Sequence, residues 1–167
     1  MNVDHARSAL ARVAEDAAPS AVLALGEDAV AAAMTWHRAH PDAPAPTCVA
    51  WSDTATTLAA LDRAGRHALA LVTVTDQAPE LVRHALARLR DLHAERLWVC
   101  VDHDRARLGP TDLVALALVA VDADAPDPDP QPRFSIHQYD VSTYKRTPDW
   151  LSPRNWANPE RWNRHRW

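Results

Sequence analysis

The amino-acid sequence predicts an α/β domain: a mostly parallel sheet with helices on both faces, an antiparallel C-terminal hairpin and a Trp-rich C-terminal tail. Three observations carry this. Short apolar runs alternate with amphipathic stretches, the pattern of strands joined by helical crossovers. Several of these runs are apolar at successive positions, as strands buried on both faces are. The last two runs have no helical pattern between them, so they pair antiparallel at the far edge.

The elements follow in order. Residues 3–16 place Val3, Ala6, Leu10, Val13 and Ala14 on one helix face. Ala21–Leu25 is a buried strand stopped by Gly26, and Asp28–Ala39 is helical up to "HPDAPAP". Thr47–Asp53 reads as a second buried strand, and Thr54–Ala64 as a helix closed by Gly65. His67–Asp76 is the strongest strand pattern. Pro79–His93 is a helix with Leu81, Val82, Ala85, Leu86, Leu89 and Leu92 as its apolar stripe. Arg96–Asp102 is a fourth strand. "GPTDLVALAL" gives a short helix with Thr111 as the expected N-cap. "LVAVDAD" and "RFSIHQYDV" are the last two strands. The Asp/Pro alternation of "DADAPDPDPQP" between them suits neither helix nor ladder and predicts a loop.

The net charge of −4 hides an asymmetry. Residues 1–132 carry 11 Lys/Arg against 19 Asp/Glu, and residues 133–167 carry 7 against 3. An acidic body with a basic end disfavours general nucleic-acid binding, which needs a positive field across the docking face. The N-terminus is charged throughout and lacks a signal-type apolar segment. No run approaches the ~18–20 apolar residues of a membrane span. Cys48 and Cys100 are isolated, with no CxxC. Together these features predict a cytoplasmic protein that does not enter membranes. Both cysteines fall within strands and are expected to be buried, inert thiols. With the strands ordered second, first, third, fourth, they stand three spacings apart, ~14 Å. That is beyond the ~7 Å between Cα atoms that a disulfide allows.

Ligands of open α/β sheets bind outside the carboxyl ends of the strands. Those ends present Glu27, Asp28, Asp53, Asp76, Asp102, His103 and Asp104. This acidic rim argues against phosphate ligands, which want glycine-rich loops and cations. His103, between two acids in "VDHDR", is a candidate base, and Asp76 is a second catalytic candidate. His37 and His40 share a helix face and raise the question of a metal site with His103. The solvated-loop reading is preferred, and no metal is expected.

The element order over roughly residues 20–142 resembles that of class I methyltransferases, whose Rossmann-like sheet also ends in an antiparallel hairpin. The resemblance implies S-adenosylmethionine as the possible cofactor. It puts Gly26 at the cofactor loop, Asp53 at the ribose-binding acid and Asp76 after the catalytic strand, with Asp102 as a further cofactor-side candidate. The chain departs from that family in two ways. "LALGEDAV" has Gly26 alone where the family has several glycines, and only one helix fits between Asp53 and His67, so one usual strand is missing. Asp53 and Asp76 also read simply as helix caps. The implied function is a degenerate methyltransferase-like fold that serves as a non-catalytic binding or interaction module and holds no cofactor. The alternatives are an S-adenosylmethionine-dependent methyltransferase with an atypical loop and an RNA-binding accessory protein.

The chain closes on "TPDWLSPRNWANPERWNRHRW", with four of its seven tryptophans. "LSPRNW" and "ANPERW" repeat one pattern: apolar, Ser or Asn, Pro, two polar residues, Trp. Ser152 and Asn158 suit N-caps, Pro153 and Pro159 suit the first helical position, and Trp156 and Trp162 fall where an apolar residue staples back. The expectation is a main domain over residues 1–142 with an extension, 143–167, packed on it. Trp150, Trp156, Trp162 and Trp167 would pack there or against a protein partner or second copy. The basic tail would complement the acidic rim. The ending also resembles that of a family of small bacterial proteins with no assigned activity.

Overall fold

A computed structural model describes residues 3–121 and 133–140. The expected extension 143–167, with its four tryptophans, lies outside the described residues, as does the Asp/Pro loop. The elements run α1 (Val3–Ala17), β1 (Val22–Leu25), α2 (Glu27–Ala39), β2 (Thr47–Val49), α3 (Thr54–Ala64), β3 (His67–Val74), α4 (Pro79–Arg88), a π-turn (Leu89–His93), β4 (Ala94–Asp102), α5 (Pro110–Ala115), β5 (Val119–Ala120) and β6 (Phe134–Asp140).

One six-stranded sheet is ordered β2-β1-β3-β4-β6-β5. β1, β2, β3 and β4 are parallel, and β6 runs antiparallel between β4 and β5. The expected α/β class and edge hairpin are therefore present. Alternate strand residues feed two cores. Leu23, Leu25, Val72, Val74, Val99 and Val101 face α3, α4 and α5. Val22, Ala24, Leu69, Leu71 and Cys100 face α1 and α2. This is the period of two of a sheet covered on both sides. No helix among the described residues is long and apolar enough to cross a membrane.

Three local expectations need correction. β2 is an edge strand of three residues rather than a buried run to Asp53. Only one of its sides is paired, so Cys48 is exposed rather than buried. The helix after Pro79 turns π at Leu89; the wider turn keeps Leu89 and His93 inside and swings Leu92 out to 56% exposure. The cap of α5 is not Thr111. Gly109 holds that position, Pro110 follows it, and the Asp112 carboxylate accepts the Gly109 N–H at 3.0 Å.

Candidate functional site

The strand order reverses between β1 and β3, because the chain leaves β1 toward β2 and returns across it to β3. Loops diverge at such a switch point and leave a crevice. Here it is a cleft of about 610 Å³. β1 and the start of α2 supply Gly26, Glu27, Asp28 and Val30, the end of β2 supplies Cys48 to Trp51, and the end of β3 supplies Thr73 and Thr75 to Gln77. Arg105 closes it from beyond β4.

Trp51 dominates one wall. It leaves β2, crosses the end of β1 and donates its indole Nε1–H to the Thr73 carbonyl of β3 at 2.8 Å. Gly26 lies under this crossing at φ 94° and ψ 158°, a region open essentially to glycine only. A Cβ there would stand 2.6 Å from Thr73 Oγ1 and 2.8 Å from Trp51 Nε1. Gly26 N–H donates to the Val49 carbonyl, and Ala29 N–H, inside the first turn of α2, faces Thr73 Oγ1 at 3.4 Å. The space and the backbone donors that a cofactor would use beside this glycine are taken by the chain's own backbone and side chains. The residues present therefore do not fit the S-adenosylmethionine implied by the element order.

The rim acids are less bare than the sequence implies. Asp28 pairs with Arg7 at 2.5 Å and Asp76 with Arg105 at 3.0 Å. Asp102, only 3% exposed, and Asp104 both pair with Arg133, at 3.6 and 3.1 Å. Asp53 lies outside the cleft lining and caps α3, accepting from Thr56 N and Oγ1 at 2.9 and 2.6 Å. Those hydrogen bonds hold its carboxyl below the usual carboxylate range. Asp76 does not cap α4, whose N-cap is Ala78. Hydrogen bonds from its own backbone and from Arg105 lower its pKa. Glu27, exposed on the cleft, has no ion pair among the described residues.

One family model covers residues 4–167, from α1 through the Trp/Arg-rich end. The chain belongs to DUF6231, a family of unknown function. No curated protein matches the chain. The DUF6231 match treats the α/β domain and the tail as one sequence unit, in keeping with the resemblance noted for the ending.

In this DUF6231 chain the three histidines weighed as metal ligands are not brought together. His37 and His40 sit at the C-terminal end of α2, away from the strand ends that carry His103. His40 instead stacks on Trp36, with ring centroids 5.2 Å apart, and approaches Glu15 at 3.3 Å. No group of three or more His, Cys, Asp or Glu among the described residues is placed to hold a metal. His103 Nε2 instead meets Ser135 Oγ at 2.7 Å.

Trp51, Thr73, Ser135 and the arginine partners were missed in the sequence. The available signals were a tryptophan directly after a short strand, in "TCVAWSD", and a Ser-x-His pair on one strand face, in "FSIHQ".

Proposed function

We propose that this domain is a binding module rather than a methyltransferase, and that it takes a small, partly apolar cation in the switch-point cleft. The observation that carries the reading is the Trp51 crossing over Gly26, which fills the cofactor side and leaves the rest of the cleft open. Asp28 and Asp76 are paired with arginines, which leaves Glu27, among the described residues, as the cleft carboxylate available to a ligand. Trp51, Val30 and Val49 supply apolar surface, and an indole face favours a cation.

The test is a thermal-shift titration with phenethylammonium and with 3-phenylpropionate, which share a phenylalkyl body and differ in charge. The expected result is stabilisation by the ammonium alone, lost in Glu27→Gln. Equal effects of the two probes, or an ammonium effect unchanged in Glu27→Gln, would contradict the reading.

A further inference from the structure

A second polar cluster lies outside the cleft lining, where β4 meets β6. Val101 pairs with Ser135 and Val99 with His137, so Ser135 and His137 lie two apart on one face of β6. His103 stands two residues past Val101 and reaches the same face; its backbone N–H donates to the Arg133 carbonyl at 2.7 Å. The Ser135 hydroxyl lies between two imidazoles, 2.7 Å from His103 Nε2 and 2.8 Å from His137 Nε2.

The protons of this triad can be assigned. A hydroxyl has one proton and donates to one ring, so the other ring must donate to it. His137 is 9% exposed, and its Nδ1 is buried without a partner among the described residues. A buried N–H with no acceptor is the rarer state, so the His137 proton belongs on Nε2, aimed at Ser135 Oγ. Ser135 then donates to His103 Nε2. Burial, and secondarily the nearby His103, lower the His137 pKa and keep that ring neutral. His103 is exposed, so reagents reach the pair from solvent. A half-buried serine within hydrogen-bond reach of a base is a nucleophile–base pair.

We propose that Ser135 is a reactive nucleophile that accepts acyl groups from small esters, with His103 as its general base and His137 donating to Oγ. In the step, Oγ attacks the ester carbonyl carbon while its proton moves to His103 Nε2. The Oγ–C bond forms, the ester C–O bond breaks, and the departing alcohol takes the proton from His103. His137 N–H steadies the charge that develops on Oγ as the proton leaves. The same attack on a fluorophosphonate displaces fluoride and leaves the proton on His103. This proposal concerns a different set of residues from the cleft and stands or falls separately.

The test treats the full chain with an alkyl fluorophosphonate and maps adducts by peptide mass spectrometry. One adduct on Ser135 is expected, absent in Ser135→Ala. It should form about 100-fold or more slowly in His103→Gln, the lower range for loss of a general base. Because His103 is exposed, that variant should fold, and circular dichroism checks this. No adduct at Ser135, labelling of other serines at the same rate, or equal labelling in His103→Gln or after heat unfolding would each overturn the proposal.

Discussion

Trp51 and Thr73, on loops and strands either side of β1, are joined by an indole-to-carbonyl hydrogen bond of 2.8 Å that passes over Gly26. The glycine is needed twice there, for its backbone angles and for the space. Gly26→Ala combines a backbone cost of about 1–3 kcal/mol with overpacking of about 1–3 kcal/mol. A loss of roughly 2–6 kcal/mol in urea unfolding is expected. In a Trp51→Ala background the same substitution should cost less, because one of its close contacts, with Trp51 Nε1, is gone. Additive costs in the two backgrounds would show that the indole does not press on this position.

Trp51→Phe keeps an aromatic ring and removes the N–H donor. About 1 kcal/mol should be lost, which for a chain of this size is about 2–4 °C in Tm. An unchanged Tm would mean that the crossing is not a stable contact.

The cysteines should differ sharply. Cys48 lies exposed on the edge strand, while burial pushes the Cys100 thiol up to about 12. Iodoacetamide should modify Cys48 in the folded protein and Cys100 only after unfolding. The two sit on β2 and β4, three strand spacings apart, and should stay unpaired under oxidant. A disulfide between them in a mass spectrum would contradict the strand order.

Burial is the main cause lowering the pKa of both His67 and His137. The folded state therefore disfavours their charged forms. Above the unfolded value of about 6.5 both states are neutral and stability is unaffected. As pH falls below that value the unfolded chain takes up protons first, so stability declines until the folded pKa values are passed. Urea midpoints should drop between pH 7.5 and 5.5, and His67→Gln or His137→Gln should flatten the decline. A midpoint that rises on acidification would reverse the sign of this account.

Much of the fold was legible because it depends on periodicity. The apolar runs at Val22–Leu25, His67–Val74 and Ala94–Asp102 are buried strands, and the crossovers between them left few topologies. The errors fall where tertiary partners decide. Cys48 in Thr47–Val49 is exposed because the strand is an edge, which a short apolar run does not reveal. Leu92 turns outward because the helix widens for one turn, and nothing in the helical period anticipates that. At the site, Gly26 was found as a position, but its meaning depends on Trp51, which is 25 residues away in the chain. The pairing of the rim acids is not legible in the sequence because Arg7, Arg105 and Arg133 reach them from other elements.

Trp51 and Thr73 close the cofactor side of the cleft beside Gly26. A titration of the full chain with S-adenosylmethionine, read by thermal shift, tests this closure most directly. A cofactor at 100 times its Kd adds about 2.7 kcal/mol, which is about 5–10 °C in Tm for a domain of this size. No saturable shift is expected at sub-millimolar S-adenosylmethionine. A saturable rise of several degrees in the unsubstituted protein would contradict the closure.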